Sequence, residues 1–131
     1  MKNFPLKFTD LSLLLLRVSF AALMFFNHGW PKVLNFEKAF STFPDPLGVS
    51  SEVSYSLVVF AEVFCPILIV FGLFTRFATV PLIVTMVIAV FIVHGSDSFA
   101  KQELGLVYLV AFLMIFISGP GKYSLDARLK V

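Results

Sequence analysis

The sequence predicts an all-α integral membrane protein, a four-helix bundle of spanning helices with both termini cytoplasmic. Composition, the length of the apolar runs and the placement of basic residues carry that reading. Of 131 residues, 59% are hydrophobic and 14% charged, against roughly 45–50% and about 25% in an ordinary soluble domain. Mean hydropathy is +0.95. A water-soluble globule is thereby excluded, and 17 Phe exclude an unfolded chain, because so much aromatic surface collapses. A single cysteine, Cys65, leaves no intramolecular disulfide, thiolate metal cluster or iron-sulfur site. The net charge of +2 is too small to hold a nucleic acid by its phosphates.

A helix rises about 1.5 Å per residue and the hydrocarbon core is about 30 Å thick, so a span takes roughly 17 to 25 mostly apolar residues. Residues 11–34, 53–74, 77–94 and 103–119 meet or approach this. Ahead of the first, Lys2 and Lys7 followed by Leu11 to Leu16 imitate a signal peptide. Arg17 interrupts the run and no small-x-small cleavage pattern follows, which points to a retained first span. The second span follows the breaker run Phe43-Pro44-Asp45-Pro46-Leu47-Gly48, the third the turn at Thr75-Arg76, and the fourth Gly95-Ser96-Asp97-Ser98. The last stops at Gly119-Pro120-Gly121, where glycine and a missing amide hydrogen end helices. No segment alternates with period two, as barrel strands would.

Orientation follows from the basic residues. Lys2, Lys7, Arg76, Lys122, Arg128 and Lys130 fall on one face, and Lys32, Lys38 and Lys101 on the other. The first face is therefore expected to be cytoplasmic, in a multi-pass protein of a bacterial inner membrane.

A charged side chain near the bilayer centre costs at least about 2.5–3.5 kcal/mol, so each needs a partner or a task. Arg17 in the first span and Glu62 in the second lie near mid-depth on neighbouring helices, and an Arg17–Glu62 ion pair is expected. Such a pair reads either as a lock on helix register or as part of a polar site in which Glu62 exchanges protons. Pro66, four residues after Glu62, has no N–H for the Glu62 carbonyl, which favours a kink beside the carboxyl group.

A second cluster is expected at the outer helix ends. His28 and His94 each close a Phe-x-x-His-Gly pattern, which suggests two imidazoles at one depth. Lys32 lies on the face of His28 at i+4, and Glu103 opens the fourth span. His28, Lys32, His94 and Glu103 thus form the candidate site, where groups titrating near neutral pH meet a cation at the membrane boundary. The competing reading is snorkelling side chains in an interfacial belt with Trp30 and Tyr55. No metal site is expected, since no ligand spacing occurs within one element. Haem is not expected either, because no second histidine pair lies toward the other face. Cys65, Met24, Met86 and Met114 read as packing.

Arg17, then His28-Gly29-x-x-Lys32, then Glu62 with Gly72-Leu73-Phe74-Thr75-Arg76, then His94, Glu103 and the ending Gly119-Pro120-Gly121-Lys122-Tyr123-Ser124-Leu125-Asp126 resemble the DoxX family of small four-span bacterial membrane proteins. The resemblance runs in order over nearly the whole chain. It implies a four-helix bundle with cytoplasmic termini, in which Arg17, His28, Lys32, Glu62, Arg76, His94 and Glu103 match the recurrent polar positions. The wider family includes membrane subunits of thiosulfate:quinone oxidoreductase, partners of detoxifying redox enzymes and relatives attached to amine dehydrogenase maturation. Cys65, lying mid-span, does not suit persulfide chemistry.

Two functions are weighed. The first is a membrane subunit or accessory of a quinone-linked oxidoreductase. In it His28 and His94 bond a quinone, Lys32 attracts an anion, Glu103 tunes the histidines, and Arg17 and Glu62 hold the bundle or relay protons. The second is a non-enzymatic scaffold or assembly factor that recruits a protein partner. Beyond the lipid bilayer, a protein partner or a second copy of the chain is expected, and no nucleic acid.

Overall fold

The computed structural model describes residues 6–131, with side chains from Phe8 onward, and no strand occurs among the described residues. In chain order the helices are α1 (Phe8–Leu34), α2 (Phe36–Ala39), α3 (Ser51–Phe71), α4 (Thr75–Val93), α5 (Phe99–Ser118) and α6 (Leu125–Leu129). Helices α1, α3, α4 and α5 are long and apolar enough to cross a membrane. They follow one another around the bundle, α1 packing on α3 and α5, and α4 packing on both as well.

The chain after α5 returns to the start of α1, where the Lys122 backbone N–H donates to the Asp10 carboxylate at 3.1 Å. This is the terminal end, and it also holds the α3–α4 turn. The opposite, loop end carries the connections 35–50 and 94–98. Lys2 lies outside the described residues, and the side chain of Lys7 is likewise outside them.

Ala21, Met24, Ala61, Ile69, Ala78, Leu82 and Phe112 make up most of the central contact. In lipid no hydrophobic force drives helices together, so close approach over small residues and dispersion must do it. Other apolar side chains point outward, as Phe77 and Ile117 do at 78% and 72% exposed, and become the lipid-facing surface. Helix α3 stops at Gly72, whose φ of +69° suits glycine. The Leu73 N–H donates to the Leu68 carbonyl and that of Gly72 to Ile69, at 2.9 and 3.1 Å, closing the orphan carbonyls of the last turn.

Three spans widen locally into π turns, at Phe25–Gly29, Phe60–Phe64 and Ala89–Val93. In each, the next residue (Trp30, Cys65 or His94) donates its N–H to the carbonyl five residues back. Pro31 and Pro66 follow the first two turns by one residue, where the interrupted ladder accommodates a missing donor. The first and third turns lie in the loop-end halves of α1 and α4, and the second straddles the middle of α3, where its loop-end half begins. There α3 also leaves α4: its segment Cys65–Phe71 packs on α4, whereas Ser51–Val59 does not pack extensively against it.

Candidate binding site

The divergence of α3 from α4 opens a cavity of about 720 Å³, within the roughly 300–1,000 Å³ usual for ligand sites. Leu57, Ala61, Val84, Ile88 and Val90 supply much of its apolar wall, and Phe43, Pro44, Pro46 and Leu47 cover its loop end. One wall is polar, formed by His28, Lys32, Glu62 and Tyr108.

That wall is built where α1 and α3 cross. A Cβ on Gly29 would fall on the Glu62 backbone carbonyl, so only glycine lets the two π turns touch. The Glu62 carboxylate, in a residue 4% exposed, takes its charge partner from across this crossing, with Lys32 Nζ 2.5 Å from Oε2. The same ammonium donates to the His28 carbonyl at 3.2 Å, a reach set by the i+4 spacing. The Tyr55 hydroxyl donates to the Lys32 carbonyl at 2.6 Å. A buried carboxylate without such a cation would be strongly destabilising.

Beside this pair, the His28 imidazole stands edge-on to the Tyr108 ring, centroids 5.3 Å apart, and Tyr108 stacks on Phe112 at 6.0 Å. Neither the His28 ring nor the Tyr108 hydroxyl makes a hydrogen bond among the described residues, although both residues line the cavity and Tyr108 is only 5% exposed. Buried tyrosine hydroxyls usually find a partner. These two rings therefore offer unused hydrogen-bonding groups to whatever fills the space.

The other predicted residues fall differently. His94 lines the same cavity but not at the depth of His28. His28 lies within α1, which continues to Leu34, whereas His94 follows the last residue of α4. The repeated Phe-x-x-His-Gly pattern thus occupies unlike positions. His94 Nδ1 lies 2.7 Å from Asp97 Oδ2, and this hydrogen bond holds the Asp97 carboxyl below the usual carboxylate range. Gln102 donates to the His94 carbonyl at 2.7 Å. Glu103 does not join the cluster. Lys101 and Gln102 face the cavity, and about 100° further round α5 Glu103 is exposed in a separate shallow groove with Leu16 and Phe20.

The Arg17–Glu62 ion pair does not form either. Helical side chains lean toward their own N-terminus, and α1 and α3 are antiparallel, so Arg17 leans to the terminal end and Glu62 to the loop end. The Arg17 guanidinium, in a residue 2% exposed, donates through Nη1 to the Pro120 carbonyl and through Nη2 to that of Tyr123 at 2.6 Å. Arg76 donates to the Ile117 carbonyl at 3.4 Å, also at the terminal end. Of the seven expected positions, His28, Lys32, Glu62 and His94 share the cavity, while Arg17, Arg76 and Glu103 lie elsewhere.

The sequence profile of the DoxX family matches residues 12–95, the stretch that holds the Arg17 anchor and the His28, Lys32, Glu62 and His94 wall. The chain belongs to the DoxX family. This DoxX chain is 30% identical to an uncharacterized protein of Haemophilus influenzae, over 93% of its own length and 85% of that relative. It is 33% identical to an uncharacterized membrane protein of Mycobacterium tuberculosis, over 52% of its own length and 50% of the relative. No solved structure matches it significantly. Two residues of this DoxX site escaped the sequence reading: Tyr108, which carried no expectation, and Tyr55, which read as an interfacial belt residue. The available signal was a hydroxyl within an apolar span, near mid-span for Tyr108 and one turn inside α3 for Tyr55, where it needs a partner.

Proposed function

We propose that this DoxX-family membrane protein binds the head group of a quinone in the loop-end cavity, as the membrane part of a redox system. The observation that carries the reading is a largely aliphatic cavity in which His28 and Tyr108 present unused hydrogen-bonding groups while the nearby cation is already neutralised. Lys32 held 2.5 Å from Glu62 has little attraction left for a small anion, so a neutral ring with hydrogen-bond acceptors suits the wall better than an anion does. His28 and Tyr108 would bond the carbonyl oxygens. Reduction to the quinol takes two electrons, which a partner protein supplies, and two protons, for which His28 and the Lys32–Glu62 pair are the nearest exchangeable groups. Arg76, Lys122, Arg128 and Lys130 at the terminal end, against Lys32, Lys38 and Lys101 toward the loop end, support cytoplasmic termini and a cavity in the non-cytoplasmic half of a bacterial inner membrane.

Trp30, the one tryptophan of the chain, lies two residues from His28, outside the cavity wall, and serves as the fluorescent probe. Titration of the purified protein in nanodiscs with a short-tailed ubiquinone is expected to quench its fluorescence saturably. His28→Ala and Tyr108→Phe should each weaken binding about tenfold, the worth of one well-made hydrogen bond. Absence of saturable quenching in the wild type would remove the quinone reading. Co-purification of a stoichiometric protein, indifferent to His28→Ala, would then select the scaffold.

A further inference from the structure

The cavity is roofed only in part toward water, where Leu47 at 55% exposed and the exposed Lys101 mark one edge, and it opens toward lipid as well. Phe43 and Leu47 lie across its loop end, and the Phe43 ring is anchored on Tyr55 with centroids 5.0 Å apart. Along the membrane-facing side, by contrast, α3 packs on α4 through residues 60–71 but not extensively through Ser51–Val59, and a gap opens there. The rims there are Leu57 and Phe60 on one helix and Val80 and Val84 on the other. All four line the cavity, at 55%, 49%, 43% and 50% exposed respectively. A side chain that lines a cavity while standing half exposed on the bundle surface marks an edge of an opening. These edges are aliphatic or aromatic, as a hydrocarbon chain passing between them requires, and they carry no charge. The polar wall lines the same cavity, with Tyr108 and His28 making no hydrogen bond among the described residues.

We propose that the gap between α3 and α4 is a lateral portal, and that the occupant is a lipid-dissolved molecule with one long hydrocarbon tail. Its head reaches His28 and Tyr108 from within the bilayer while the tail remains between Leu57 and Val84. The proposal rests on the head-group reading above and adds the route and the tail. It makes membrane partitioning part of recognition, so a long-tailed ligand outcompetes a short-tailed one with the same head.

The test uses the full chain in phosphatidylcholine nanodiscs containing a phosphatidylcholine with a mid-chain diazirine. Irradiation is expected to label the buried residues Ala61, Val90 or Tyr108, as well as outward-facing ones such as Ile117. A long-tailed ubiquinone should suppress the buried labelling at least tenfold more effectively than its short-tailed analogue. Val84→Trp, which narrows the gap, should cut the buried labelling severalfold and spare labelling at Ile117. Ile117→Trp, equally bulky and facing lipid elsewhere, should leave the buried labelling unchanged. Should Val84→Trp fail to fold, the wild-type labelling pattern decides alone. Labelling confined to outward residues in the wild type, or buried labelling indifferent to Val84→Trp in a folded protein, overturns the portal even if short-tailed ubiquinone still quenches Trp30. Buried labelling that responds to Val84→Trp but to neither quinone supports the portal and overturns the quinone head.

Discussion

The two ends of the bundle handle buried polarity in opposite ways. At the terminal end the charged groups that are buried are spent on the fold, although Arg17 Nε and the Thr75 hydroxyl are buried there without a hydrogen-bond partner among the described residues. Arg17 donates to two carbonyls of the segment after α5, and the Asp126 carboxylate accepts the N–H groups of Phe74 and Thr75 at 2.7 and 2.9 Å, capping α4 from 51 residues away. Asp126 does what a local N-cap does elsewhere, because Phe74 at φ +47° gives α4 no side-chain cap of its own. At the loop end the same kinds of group surround open space. Lys32 and Glu62 are satisfied by each other, and His28 and Tyr108 are left over. Charge in a membrane span is thus not itself a mark of function. The candidate site is marked instead by unbonded polar groups that line open space, as His28 and Tyr108 do and Arg17 Nε and the Thr75 hydroxyl do not.

The largest effect should come from breaking the terminal end. Arg17→Met leaves the Pro120 and Tyr123 carbonyls without donors and Asp126 without its nearby positive charge. A loss of about 3 kcal/mol is expected, read as a lower melting temperature in detergent. Arg17→Lys should fall between, since an ammonium lacks the two-pronged geometry. The folded fraction of either variant should bind short-tailed ubiquinone as the wild type does. Wild-type melting of Arg17→Met, or loss of ubiquinone binding without loss of stability, would dissolve the contrast between the ends.

The loop-end pair gives a smaller effect of a different form. Lys32→Met strands a buried carboxylate and Glu62→Gln strands an ammonium, whereas the double variant strands neither. A double-mutant cycle should therefore give a coupling of about 2 kcal/mol, with the double variant more stable than Lys32→Met alone. Arg17→Met combined with Glu62→Gln should instead be additive within about 0.5 kcal/mol. Additivity for Lys32 and Glu62 would mean that this pair does not stabilise the fold, and coupling between Arg17 and Glu62 would restore the pairing that depth along the helices suggests and the structure does not form.

Depth along a helix is a weaker guide to contact than the length of an apolar run. Apolar run lengths and the breakers at 43–48, 95–98 and 119–121 are one-dimensional signals, and they located the four long helices. The i+4 relation of His28 and Lys32 is equally local, and both residues share the cavity. Depth alone pairs Arg17 with Glu62, but side chains on antiparallel helices lean opposite ways. The two histidine motifs agree in pattern, yet one lies inside a helix and the other just after one. Glu103 failed through rotation about α5. Tyr108 and Asp126 matter through neighbours 80 and about 50 residues away in sequence, and no local spacing encodes such contacts. The π turns were foreshadowed only by Pro66, and by Pro31 in the same relation to its turn.

The smallest expected effect concerns the cover of the cavity. The Asp45 carboxylate accepts the N–H groups of Ser50 and Val49 at 2.8 and 2.9 Å and the Ser54 hydroxyl at 2.9 Å, tying the run that holds Phe43 and Leu47 to the start of α3. The Ser50 N–H above all holds this carboxyl below the usual carboxylate range. A carboxyl depressed in the fold stabilises it above the ordinary value of about 3.9, and that contribution is lost as pH falls through the depressed value. The cover should thus stay fixed from neutral pH down to about 4 and loosen only below that. Asp45→Ala should produce the same loosening at pH 7. Faster amide exchange at Val49 and Ser50, corrected for its intrinsic pH dependence, is the expected signature, with amides of the Asp126-capped turn unchanged at pH 7. Loosening already complete at pH 6, or equal protection in Asp45→Ala, would mean that Asp45 does not hold the cover, and the apolar contact of Phe43 with Tyr55 would have to hold it alone.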